Sequence, residues 1–281
     1  MTIGQNRWLP HVVLLLGVFV FTLPIFFTFI GSTHSQRTIA AGQLPLTPGP
    51  HLVENYQEAL FRGAGERVRT TPATVLMRNS TYMALAIVVG KIVISVLSAF
   101  AVVFFEFPGR MFFFWMIFVT LMLPVEVRII PTYAVVANLG MVDTFAGLTI
   151  PLIASATATL LFRQFFLTVP DELVDAAQID GAGAMRFFWS VLLPLSRTNI
   201  AALFVIMFIY GWNQYLWPLL VTTTRGTETI MIGIVRMMRG GDASIDWNLV
   251  MAVSMLALLP PVLVILVMQR WFVKGLVEPE K

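Results

Sequence analysis

Long apolar runs dominate this chain and are joined by short polar segments, with one exception in its second half. A helix needs about 20 largely apolar residues to cross a bilayer. Runs of that kind occupy 12–30, 82–105, 111–130, 145–162, 200–220 and 249–268. Inside such runs every backbone polar group has to be satisfied within the segment, so they are predicted to be helices. No alternating strand-and-turn pattern of a barrel is visible. The expected fold is all-α, a polytopic membrane protein with six transmembrane helices forming a single domain over 1–281. An even number of spans places both termini on one side.

The exception is 163–197, a charged, helix-forming island between two apolar runs. Pro170 suits a first helical turn, and Asp171 and Glu172 favour the positive end of a helix dipole. Leu173, Ala176, Ala177 and Asp180 fall at i, i+3, i+4 and i+7, one helix face on which two alanines let another backbone come close. Gly181 and Gly183 break that helix. Met185, Phe188, Trp189 and Leu192 repeat the spacing in a second helix, with Arg186 and Ser190 on another side, and Pro194 ends it. Two short helices around a glycine hinge read either as an interfacial amphipathic segment or as a docking surface.

Composition places the chain in a membrane: 58% of residues are hydrophobic, 12% are charged and mean hydropathy is +0.83. That is far from a soluble globular balance. The first run has a thin charged start and no small-x-small cleavage site, so it is read as a retained span. With no cysteine, disulfides, thiol catalysis and Cys-ligated metals are excluded. His11, His34 and His51 are scattered, so no metal site is expected. Gly90-Lys91 lacks the preceding glycine and following Ser/Thr of a phosphate loop, so no nucleotide or other cofactor is expected on this chain. No catalytic set is visible. No enzymatic activity and no nucleic-acid partner are expected.

Charges inside apolar runs are costly and usually functional. Lys91 lies in the middle of the second run. Glu126 and Arg128 lie late in the third, between Pro124 and Pro131, and two residues apart they do not share a helical face. They line a translocation path, or they mark the wetted end of a shortened span. Lys91 meets a carboxylate on a neighbouring helix or partner, or it meets solute. In Tyr210-Gly211-Trp212-Asn213-Gln214-Tyr215-Leu216-Trp217-Pro218, Trp217 reads as an interfacial anchor. Asn213 and Gln214 are candidates for the mouth of a path. Outside the spans, 42–50 reads as extended and 52–60 as weakly helical.

The order Asp175-Ala176-Ala177-x-x-Asp180-Gly181-Ala182, followed by Leu193-Pro194, resembles the EAA loop of binding-protein-dependent ABC importer permeases. That resemblance implies that 163–197 is a cytoplasmic coupling loop, docking in a cleft on an ATPase through Asp175, Ala176, Ala177, Asp180, Gly181, Ala182, Phe187, Phe188 and Pro194. Asp175 stands where glutamate is usual, the same charge on a shorter arm. Basic residues divide evenly between the two faces; the short loops favour the cytoplasmic placement modestly, and the resemblance decides it.

A longer similarity, over 112–166, 210–220 and 268–277, is to the permeases of sn-glycerol-3-phosphate importers in this family. It implies ATP-driven import of sn-glycerol-3-phosphate or glycerophosphodiesters across the bacterial inner membrane, with both termini cytoplasmic. The implied partners are a second, non-identical permease, two copies of an ATPase that carries ATP and Mg, an extracytoplasmic solute-binding protein, and membrane lipid. For an anionic solute Arg128 is the first candidate contact and Lys91 the second, with Glu126, Asn213 and Gln214 as further polar groups of the path. The alternatives are the same machine carrying a neutral sugar or oligosaccharide, or an ion-driven secondary transporter, which needs no docking loop.

Overall fold

The computed structural model describes residues 8–42, 44–63, 70–239 and 245–277, apart from the side chains of 9, 121, 125, 126 and 271–277. Among these residues there is no strand. The helices are α1 (Trp8–Ser32), α2 (Gln36–Ala40), α3 (Leu52–Phe61), α4 (Ala73–Phe104), α5 (Arg110–Val119), α6 (Val125–Asn138), α7 (Phe145–Thr149), α8 (Ala156–Phe166), α9 (Asp171–Ile179), α10 (Ala184–Phe187), α11 (Leu193–Leu195), α12 (Arg197–Trp212), α13 (Leu216–Val221), α14 (Ile230–Met237) and α15 (Trp247–Val277).

By length and apolarity α1, α4 and α15 can each cross a membrane unaided. Two bent pairs bring the number to five if each forms one span: 145–152 with α8, bent by 45°, and 184–195 with α12, bent by 70°. The expected third span, 111–130, is not one helix. After α5 the chain makes a 3-10 turn, Thr120–Met122, and Leu123 is extended at φ −86° and ψ 114°. The cause is Pro124, whose ring forces the preceding residue out of the helical region. The fifth run is likewise interrupted, between Trp212 and Leu216.

The chain forms two compact units, 1–77 with 230–259 and 78–229 with 260–281. The first is locked by buried polar groups. Asn55 Nδ2 donates to the Ser32 and His34 carbonyls, each at 2.9 Å, and its Oδ1 accepts from Asn248 Nδ2 at 2.9 Å. Gln36 donates to the Ile245 carbonyl at 2.5 Å and accepts from the Trp247 N–H at 2.7 Å. Thr33 Oγ1 accepts from the Gly49 N–H at 2.7 Å, and the His34 ring bonds the Thr47 carbonyl at 2.9 Å. The segment before α3 is therefore pinned at Thr33, His34, Thr47 and Gly49, and His34 serves the fold.

The second unit holds two apolar clusters. One joins Val88, Val96 and Phe100 of α4 to Phe162 and Phe166 of α8, to Phe187, Phe188 and Leu192, and to Leu203 and Met207 of α12. The other joins Met83, Ile87, Ile129, Val136, Leu148, Trp217 and Val221. Trp217 is thus buried, with Nε1 donating to the Gly147 carbonyl at 3.1 Å, rather than the expected interfacial anchor. An indole N–H that finds a buried acceptor needs no water.

Asp143 ties two loops of this unit together. It adopts a left-handed conformation, φ 58°, which aspartate tolerates better than most residues. Its carboxylate accepts from the Thr223 N–H at 2.6 Å, the Thr224 N–H at 2.9 Å and the Thr223 hydroxyl. Desolvation pushes this carboxyl up; the Thr223 hydroxyl and the two N–H groups more than offset it, lowering its pKa from 3.8 to about 2.

Candidate functional site

The acidic island folds as two helices around a turn. Pro170 caps α9, and Asp171 and Glu172 occupy its first turn. At the other end the Ala182 N–H donates to the Ala177 carbonyl at 2.8 Å and the Gly181 N–H to the Gln178 carbonyl at 3.0 Å. This pair of bonds is a Schellman motif, which requires a left-handed residue between them. Gly181 supplies it at φ +69°, and a Cβ there would meet nothing within 4 Å. Backbone conformation, not space, calls for glycine.

The predicted face of α9 is split. Ala177 turns inward with Val174 onto the apolar cluster, while Leu173, Ala176 and Asp180 stay exposed. With Gln178, Ala182 and Ala184, these inward residues face Phe100, Phe104 and Phe187 across a cleft of about 120 Å³. Val174, Ala177 and Gln178 also stand at i, i+3 and i+4, and the bed of phenylalanines selects that face over the one read from the alanines. The bed is tight: Phe100 and Phe188 centroids lie 4.9 Å apart, and Phe104 and Phe187 5.4 Å.

Phe187 and Phe188 are 5% and 3% exposed, inside the chain's own core. They seat the loop and do not form its outer surface. Of the predicted second face, Phe188 and Leu192 are buried and Met185 and Trp189 exposed. The physical reason is that Phe188–Leu192 is a π-helical turn, whose wider winding re-aims the residues that follow. Pro194, two residues on, has no N–H for the Ser190 carbonyl, a gap the wider turn accommodates. At the 70° bend that follows, buried Ser196 directs both its N–H (3.0 Å) and its hydroxyl (2.6 Å) to the Leu192 carbonyl.

What α9 shows to solvent is acidic. Asp171, Glu172, Asp175 and Asp180 are all exposed, and none forms an ion pair among the described residues. Such a surface is electrostatically complementary to a basic or donor-lined cleft.

A second constellation lies along the inward face of α4, where Ala84, Val88, Lys91, Ser95 and Ala99 are buried. Lys91, 6% exposed, holds Nζ 3.9 Å from the centroid of the Tyr210 ring on α12. Arg128, on α6, is exposed. A Cβ on Gly211 would stand 3.1 Å from the Ala84 Cα, so glycine permits the close crossing of α4 and α12 that brings Tyr210 to Lys91. Asn213 is exposed in the break after α12, and Gln214 beside it donates to the Tyr210 carbonyl at 3.2 Å. The Glu126 side chain lies outside the described residues. The structure thus brings Lys91 and Gln214 to Tyr210.

Tyr210, Val174 and Gln178 are contributors that sequence reasoning missed. Tyr210 was visible only as one aromatic in an aromatic run. Among the described residues no group of three or more His, Asp or Glu is arranged to hold a metal.

Among the described residues, broken apolar helices and an acid-faced helix seated on its own core make the architecture of a polytopic membrane protein. The chain belongs to the family of binding-protein-dependent transport system inner membrane components, whose profile matches residues 91–278. It is therefore a multi-pass inner-membrane component of a transport system that depends on a binding protein.

Full-length relatives include the sn-glycerol-3-phosphate transport system permease protein UgpE of Brucella melitensis, 62% identical over 98% of both chains. The protein of the same name from Agrobacterium fabrum is 61% identical over 98% of this chain and 97% of its own. That of Yersinia pestis is 54% identical over 96% of both. In fold, the chain matches a subunit of a bacterial ABC transporter involved in the import of the acidic polysaccharide alginate. The TM-score is 0.81 at 21% identity, over 97% of this chain and 99% of that one.

Proposed function

We propose that this chain is a permease subunit of an ATP-driven importer of sn-glycerol-3-phosphate or its phosphodiesters. The observation that carries the reading is 54–62% identity, over nearly the full length of both chains, to permeases named for that solute. The whole chain acts as one transmembrane domain with six crossings, among them the proline-broken α5–α6 segment. The loop 163–197 and both termini lie in the cytoplasm. A second, non-identical permease completes the path, two ATPase copies carry ATP and Mg, and an extracytoplasmic binding protein delivers solute; this chain binds no nucleotide.

In this reading the exposed acidic face of α9, with Asp175 and Ala176 at its centre, docks on the ATPase. Closure of the ATPase dimer moves α9. Val174 and Ala177 pass the displacement to the phenylalanine bed, and the bend at Ser196 passes it to α12, which carries Tyr210 into the path. Arg128, Lys91, Asn213 and Gln214 line that path. The test is uptake of labelled sn-glycerol-3-phosphate and of a neutral sugar by the reconstituted complex. ATP-dependent, saturable uptake of the phosphate ester is expected; preference for the neutral sugar overturns the reading.

A further inference from the structure

Lys91 sits deep within α4, a helix of 32 residues long enough to span the membrane. An ammonium at that depth is expensive unless something compensates it. A structural role would supply a carboxylate, yet no described carboxylate lies within 4 Å of Lys91. What the structure provides is the Tyr210 ring face, 3.9 Å from Nζ. The ring attracts the ammonium without using any of its three N–H donors.

We propose that Lys91, braced on Tyr210, is the anion seat of the path, matched to a phosphate monoester dianion. The proposal rests on the reading of the chain as an importer of glycerol phosphates, and it deepens that reading. Burial ranks Lys91 above Arg128, the reverse of the order read from sequence, because the exposed guanidinium is available to water and Lys91 is not. The chemical consequence is selectivity. A monoester, whose second ionisation lies near pH 6, carries close to two negative charges at neutral pH, whereas a phosphodiester carries one. A buried fixed cation favours the doubly charged ester, and removing it erodes that preference.

The experiment uses the complete complex in proteoliposomes: this chain, its partner permease, the ATPase and the binding protein. Uptake of sn-glycerol-3-phosphate and of a glycerol phosphodiester is measured beside ATP hydrolysis stimulated by loaded binding protein. Lys91→Met keeps the length and apolar stem and removes the charge. It is expected to lower monoester uptake about tenfold or more, the loss associated with one charged hydrogen bond, and to lower diester uptake less. Lys91→Arg is expected to restore the monoester preference. Unchanged monoester uptake in Lys91→Met overturns the proposal. So does an equal loss of both esters together with stimulated hydrolysis, which marks a purely structural lysine. Tyr210→Leu gives an independent reading should Lys91→Met fail to assemble: a raised KM for the monoester is expected, and an unchanged KM contradicts the proposal. A wild-type complex that carries neither ester overturns the importer reading itself, whereas wild-type transport with an indifferent Lys91→Met overturns only the anion seat.

Discussion

The Ala182 N–H reaches back to the Ala177 carbonyl at 2.8 Å, across the left-handed Gly181, and this bond turns the chain out of α9. A β-branched residue at 181 cannot hold that conformation without a cost of about 1–2 kcal/mol or more. Gly181→Val should therefore insert and assemble normally yet lose uptake, while Gly181→Asn, which tolerates the left-handed region, should retain most of it. Parallel transport assays on the two variants check this.

The two alanines of the motif have different tasks. Ala177 is half-buried against the phenylalanine bed, so Ala177→Phe overfills the cleft and should destabilise the chain by about 1–3 kcal/mol. Ala176 is exposed, so Ala176→Phe should leave thermal unfolding of the isolated subunit unchanged and weaken only its assembly with the ATPase. Unfolding and co-purification of both variants separate the roles.

Asp143 gives a pH dependence of known sign. Its folded pKa, about 2, lies below the ordinary 3.8. Its contribution is therefore fully present above about pH 4 and is lost as pH falls through about 2. Asp143→Ala removes both the acceptor and a residue suited to φ 58°. It should lower the unfolding temperature at pH 7, with the gap to wild type narrowing as the pH is taken below 4.

Gly211 is the contact point of α4 and α12. A side chain there meets the Ala84 backbone, which cannot move aside as a flexible side chain would. Gly211→Leu should cost about 1–3 kcal/mol by overpacking and, by drawing Tyr210 off Lys91, should impair uptake more than Gly211→Ala does. Unfolding temperature and uptake measured on both variants test this.

Membrane character, helical class and the boundaries of α9 were legible because each rests on local composition and spacing: apolar runs, Pro170 before two acids, and Gly181 after the helix. Inward and outward faces were less so. The spacing of Leu173, Ala176, Ala177 and Asp180 fits one face, but Val174, Ala177 and Gln178 fit another equally well. Only the phenylalanines of α4 and α10 decide between them. A π-helical turn at 188–192 defeats any reading at the usual helical period. Pairings across long stretches of chain, such as Asp143 with Thr223 and Lys91 with Tyr210, leave no periodic trace. Pro124 stood in view within the third run, but that its effect on Leu123 ends the helix shows only in the structure.

The central claim is that the outer face of α9 docks on the ATPase. Because the chain contains no cysteine, single cysteines report cleanly on contact. In the assembled complex, Asp175→Cys and Ala176→Cys are predicted to cross-link to cysteines placed in the ATPase cleft, with a yield that changes on ATP binding. Val174→Cys, facing the chain's own core, is predicted not to. Cross-linking from Val174→Cys with none from Asp175→Cys or Ala176→Cys would contradict the account.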